Sequence, residues 1–144
     1  MRPAPGTCAD YVHFHQHSTR WGDNDSYGHL NNAVHLMIID STVNAWLIGR
    51  GLLRPLHSAA IGLVVENGCR YHAELAYPQD LTAGLRVAHI GRSSVRYEVG
   101  LFGAADDRAA AEGFLVHVYV DAASRRPVPL PQTTRTALAS LAMR

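Results

Sequence analysis

The strongest constraint on the fold is one apolar stretch. Between Ala33 and Gly49 the chain carries Val34, Leu36, Met37, Ile38, Ile39, Val43, Ala45, Trp46, Leu47 and Ile48, with no Pro and no Gly before Gly49. Such a run reads as a helix whose apolar residues cover more than one stripe, so other structure must wrap around it. Asn31 or Asn32 can cap its start by accepting from an orphan N–H, and Gly49 and Gly51 mark its end. A polar, glycine-bearing loop, Gly22–Asn32, leads directly into it.

What could do the wrapping lies on both sides. Val12–Trp21 alternates, with Val12, Phe14 and Gln16 on one face and His13, His15 and His17 on the other. After Pro55 the character turns to strand. Ile61–Tyr71 and Leu81–Ile90 are candidates, the second introduced by Tyr77-Pro78-Gln79-Asp80. Ser94–Phe102 and Ala111–Asp121 alternate more cleanly and are joined by a hairpin-like Gly103–Arg108. Short links favour antiparallel pairing, and one helix on one face of such a sheet is an α+β layer architecture. The other face would stay partly open in a monomer, which points to a homodimer or homotetramer. Residues 1–10 read as a leader, 11–131 as the domain, and 132–144 as a tail with a short helix expected over Thr134–Ala142.

Bulk properties exclude several classes. The 144 residues suit one domain able to bury a core without staples. Thirteen Lys and Arg against twelve Asp and Glu leave the chain near neutral, and no basic run interleaves with aromatics, so nucleic acid is not an expected partner. Cys8 and Cys69 form no C-x-x-C pair, which suits a reduced compartment. No stretch has the length of a membrane span or signal-peptide core, so a cytoplasmic location is expected.

The segment Arg20–Asn32, R-W-G-D-N-D-S-Y-G-H-L-N-N, followed at once by the apolar helix, resembles the hotdog-fold acyl-CoA thioesterases related to 4-hydroxybenzoyl-CoA thioesterase. Weaker matches follow in order: Cys69-Arg70-Tyr71 with Tyr77–Asp80, Ile90-Gly91-Arg92-Ser93-Ser94, and Val118–Pro131. Together they span roughly residues 12–131. The resemblance implies a curved antiparallel sheet of about five strands around one long central helix. It also implies hydrolysis of an acyl-CoA to the free acid and CoA, without a cofactor or metal.

The chemistry of a thioester then assigns roles. The second Asp of D-x-D, Asp25, carries over as the catalytic carboxylate, acting as general base on water or as nucleophile. Free backbone N–H groups at the helix start, near Asn31–Val34, would hold the developing oxyanion. His29 and Asn32 are candidates for catalysis or substrate contact. Relatives with a His seven residues after the catalytic Asp have it where this chain has Asn32. Asp23 reads as a structural partner of Arg20. The resemblance implies that Arg92, Ser93 and Ser94 lie where CoA is held, with Arg70 and Arg96 as further candidates for its phosphates. Met37, Ser41 and Trp46 are candidates for the acyl pocket.

His13, His15 and His17 share a strand face, but three histidines in a row seldom converge on tetrahedral zinc, so no metal is expected. Two other readings compete with hydrolysis: a thioester-binding scaffold that kept the fold, and a hotdog dehydratase or hydratase. The latter needs a different His and carboxylate arrangement, which the chain lacks.

Overall fold

The computed structural model describes residues 2–143. Its core is a five-stranded antiparallel sheet, β1 (His13–Ser18), β2 (Ala60–Tyr71), β3 (Asp80–Ile90), β4 (Ser94–Phe102) and β5 (Ala111–Asp121), in the order β1-β3-β4-β5-β2. One long helix, α1 (Asn32–Gly49), lies across it, and a shorter one, α2 (Gln132–Ala139), follows the last strand. The α+β hotdog architecture expected from the sequence is therefore present, with boundaries within two residues for β2 to β5 and for α1. The first strand is shorter than Val12–Trp21, because Trp21–Asp23 leaves the sheet as a single 3-10 turn.

Alternation decides which face each strand buries. Val95, Tyr97, Val99 and Leu101 of β4 and Leu81, Ala83, Leu85 and Val87 of β3 are all buried on the helix side. Against them α1 sets Ile38, Ile39, Val43, Trp46 and Leu47, also buried. The helix sits close because Gly113 of β5 has no side chain. A Cβ there would run into Ile39 and stand 2.9 Å from the Gly68 carbonyl oxygen. Burial on this scale, at about 1.5–3 kcal/mol per large apolar side chain, is what offsets chain entropy.

The helix side is not wholly apolar. His117 of β5 is buried with its Nδ1 lacking a hydrogen-bond partner, its ring edge-on to Tyr97. Burial pushes its pKa from the ordinary 6.5 down to about 4, so the ring is neutral at pH 7. The histidine row of β1 pairs with Leu85, Ala83 and Leu81 of β3 and shares their face, as the alternation indicated. Among the described residues no three His, Cys, Asp or Glu side chains form a metal-binding group.

The outer face differs. Tyr11 lies over Gly84 and Gly100, where any Cβ would meet its ring within 2.8 Å. Within the segment read as a leader, the Gly6 carbonyl accepts from Ala109 N–H, and Cys8–Asp10 forms a 3-10 turn. At one sheet edge β2 offers its free side to solvent, with Leu63, Val64 and Val65 39%, 44% and 61% exposed. No helix among the described residues is long and apolar enough to cross a membrane.

Candidate active site

The loop before α1 is held by its first half. The Asp23 carboxylate, 1% exposed, accepts from the Arg20 backbone N–H at 2.8 Å and from its guanidinium at 3.0 and 3.2 Å. Burial alone would raise its pKa; the Arg20 backbone bond and guanidinium outweigh that and hold it below the usual carboxylate range. The Asp23 carbonyl in turn accepts from Asn31 N–H at 3.0 Å, which ties this half of the loop to the helix start. Asp23 is thus structural, in line with the pairing to Arg20 read from the sequence.

The second half is a tight turn. Asp25 N–H donates to the His29 carbonyl at 2.9 Å and Gly28 N–H returns to the Asp25 carbonyl at 3.2 Å. Gly28 takes a φ of +86°, which a Cβ would strain. The Asp25 carboxylate is 14% exposed. One oxygen accepts from Tyr27 N–H at 2.8 Å, whereas the other, among the described residues, meets only the His29 ring, with Nδ1 3.9 Å away. That same Nδ1 donates to the Leu30 carbonyl at 3.3 Å, and Nε2 stands 3.8 Å from the Glu74 carboxylate. His29 therefore lies between two carboxylates.

At the start of α1 most of the orphan donors are taken. Asn31 caps the helix by accepting from Ala33 N–H at 2.9 Å, its carbonyl accepts from Val34 N–H at 2.9 Å, and its own N–H goes to Asp23. Of the donors expected between Asn31 and Val34, only Asn32 N–H is without a partner among the described residues. Asn32, His29 and Leu30 line a cleft of about 330 Å³, together with His35, Tyr71, His72 and Glu74. Asp25 is not among the residues that line it; its carboxylate approaches the cleft residue His29.

Three of those wall residues were not singled out by sequence. His35 sits one turn into α1, 4% exposed, and its Nδ1 donates to the Asn31 carbonyl at 3.1 Å, with its ring edge-on to Tyr71. Burial lowers its pKa despite that bond, so it is neutral at pH 7. His72, just past β2, donates from Nε2 to Glu112 of β5 at 2.8 Å. The third is Tyr71. A histidine four residues after a helix cap was a readable signal; His72 gave none, and Tyr71 was read only as part of the Cys69-Arg70-Tyr71 match, because it is the β2–β5 pairing that brings them to the helix start.

Other candidates lie elsewhere in the chain. Arg92 and Ser93 occupy the turn between β3 and β4, and Ser94 opens β4, at the far end of the sheet. Thr19 and Asn24 bond Gln79 and Tyr77, which tie the beginning of β3 to the loop. The other end of β3 is eleven residues on, about 35 Å at strand rise. There the corner's backbone is committed: Leu130 N–H donates to Arg92, Tyr119 N–H to Ser93, and the Arg135 guanidinium to the Gly91 and Arg92 carbonyls at 3.0 and 3.1 Å. The Arg92 side chain is exposed. Met37 is 41% exposed and Trp46 4%, and neither lines the cleft, nor does Ser41.

With fold and cleft in hand, comparison with known proteins places the chain. Residues 19–138 match the model of the thioesterase-like superfamily, and the chain belongs to that family. Membership supports thioester hydrolysis as its class of reaction. Among solved structures, the chain is similar to the PA5185 protein of Pseudomonas aeruginosa, 48% identical over 97% of each chain with a TM-score of 0.93. It is also similar to the PA2801 protein of that organism, named as a candidate thioesterase, at 28% identity, over 89% of this chain and 98% of that one, TM-score 0.82. A 1,4-dihydroxy-2-naphthoyl-CoA thioesterase from Synechocystis shares the fold at 18% identity, over 89% and 96% of the two chains, TM-score 0.80. A comparison with curated proteins finds no significant match.

Proposed function

We propose that the protein hydrolyses an acyl-CoA thioester, with Asp25 as the carboxylate that activates water or attacks the carbonyl. The observation that carries this is the unequal use of the two loop carboxylates. Asp23 is saturated with donors, whereas among the described residues one Asp25 oxygen has no donor at hydrogen-bond distance and faces His29, which lines the cleft. A free, partly solvated carboxylate is the form that base or nucleophilic catalysis requires. His29 would orient the carboxylate or the attacking water. Asn32 N–H, aided by the positive end of α1, would hold the oxyanion, a role for which one donor is worth about 3 kcal/mol in comparable acyl chemistry.

The reading includes a homodimer. Edge strand β2 is twelve residues long and bare on one side, and edges of that kind seek a partner. Two copies paired antiparallel along β2 would bring the partner's β3–β4 corner from the far end of its sheet toward this cleft. That arrangement would let Arg92, Ser93 and Ser94 of the partner subunit hold CoA, which they cannot do for their own cleft. A family match and a neighbour named as a CoA thioesterase support the substrate class.

The test is thiol release from a panel of acyl-CoAs, short to long and aromatic, with wild type and Asp25→Asn. Turnover that survives in the variant on every good substrate refutes the assignment of Asp25. Silence of the wild type across the panel favours a thioester-binding scaffold instead.

A further inference from the structure

The outer face of the sheet carries a second hollow, of about 700 Å³, separate from the cleft. Four arginines line it, Arg2, Arg70, Arg86 and Arg96, against two carboxylates, Glu98 and Glu112. Both carboxylates are already engaged. Glu98 accepts from Arg86 at 2.9 Å and from Arg96 at 3.4 Å, and Glu112 accepts from His72 at 2.8 Å and from the Tyr11 hydroxyl at 3.4 Å. The Arg70 guanidinium makes no hydrogen bond or ion pair among the described residues, and Arg2 spends one donor on the Tyr71 carbonyl. The hollow therefore holds an excess of fixed positive charge.

Its floor is pre-assembled. The Arg86 guanidinium lies 4.9 Å from the centre of the Tyr11 ring and that of Arg96 4.0 Å from Phe114, with Glu98 joining the two stacks. Gly84, Gly100 and Gly68 make room for those rings, since a Cβ at each would stand 2.6–2.8 Å from them. Stacked guanidinium planes bridged by a carboxylate are immobilised before any ligand arrives, so less entropy is lost when one binds.

We propose that this hollow binds a nucleoside di- or polyphosphate. The phosphates would meet Arg70 and Arg2, and the planar base would lie on the arginine–aromatic stacks. The size suits such a ligand, because small-molecule sites commonly run to about 300–1,000 Å³. Tyr71 lines both hollows, and Glu112 of this one holds His72 of the other. The bound nucleotide thus touches the wall of the cleft from behind without entering it. The site stands independently of the hydrolytic assignment, since its readout is equilibrium binding.

Calorimetric titration with ADP tests it, on wild type, Arg70→Gln and Arg96→Gln, with retained folding checked by circular dichroism. ADP is expected to bind wild type with Kd below about 1 mM at low salt. Each substitution should weaken binding at least tenfold, added NaCl should weaken it further, and pyrophosphate should bind less tightly than ADP. A repeat at saturating CoA separates the two sources of the ligand. Displacement of ADP, with CoA binding itself weakened in Arg70→Gln, identifies the nucleotide half of CoA; undiminished ADP binding identifies a free nucleotide. No binding of millimolar ADP to wild type, or unchanged affinity in both variants, overturns the proposal. So does self-association abolished by Arg70→Glu without ADP binding, which would give this face to a second copy of the chain.

Discussion

The two halves of the loop before α1 start from the same side chain and end in opposite states. In Arg20–Asp23 every oxygen of the carboxylate has a donor, and the aspartate is buried with its pKa held low. In Asp25–His29 the backbone is just as tightly turned, but the carboxylate is left with capacity to spare. Rigid backbone and unspent side chain together are what the role proposed for Asp25 requires. Saturation of the neighbour is what supplies the rigidity. On the proposed function, the number of donors that each carboxylate has engaged separates their roles, although both share one motif.

This contrast can be broken most severely at Asp25. Asp25→Asn should lower kcat by about a thousandfold, within the range general-base catalysis supplies, with the thermal midpoint nearly unchanged. A large drop in midpoint would mean that Asp25, too, is scaffolding. Acid sharpens the comparison next, provided His117 is accounted for. Its folded pKa, about 4, lies below the ordinary 6.5, so the unfolded chain takes up a proton first as the pH falls. Stability present at pH 7 should fall by about 3 kcal/mol between pH 6.5 and 4, and His117→Gln should flatten that slope in urea melts.

Asp23 acts in a lower window. A depressed carboxyl contributes stability above its ordinary 3.8 and loses it as the pH drops through the folded value. Asp23→Asn should cost about 2 kcal/mol in urea unfolding at pH 7, the range for hydrogen bonds to a charged group. Turnover of the fraction still folded should be far less affected than in Asp25→Asn. Gly28→Ala, which forces a Cβ into φ +86°, should cost about 1 kcal/mol and lower turnover only a few-fold. If it instead matched Asp25→Asn in kinetics, the turn rather than the carboxylate would be the critical element.

Much of this fold could be read from residue order. Ser94–Phe102 and Ala111–Asp121 alternate without interruption, and their strands begin and end where the pattern does. Strand β2 was harder to place on a face, because a bulge between Val64 and Glu66 shifts its register and swaps which residues look inward. The proposal of Asp25 as the catalytic carboxylate rests on the loop's likeness to a family segment. Which donor remains free was not. That, of the N–H groups from Asn31 to Val34, only that of Asn32 is without a partner among the described residues depends on the Asp23 carbonyl and on the cap made by Asn31, contacts that letters do not record. The β3–β4 corner shows the same limit: its residues were readable as a unit, but their distance from the cleft follows from strand length and direction.

Gly113 gives the missing side chain an unusual task. Ile39, which it lets down onto the sheet, is seven residues beyond Asn32, about 10 Å along the helix axis. The glycine thereby acts as a mechanical stop, setting how low the whole cylinder rests. A methyl group at this point would tilt or lift α1 and displace the N–H at its tip, at a distance from any reacting atom. The aim of the proposed site is in that sense adjusted from its far side, by a residue whose contribution is the space it leaves.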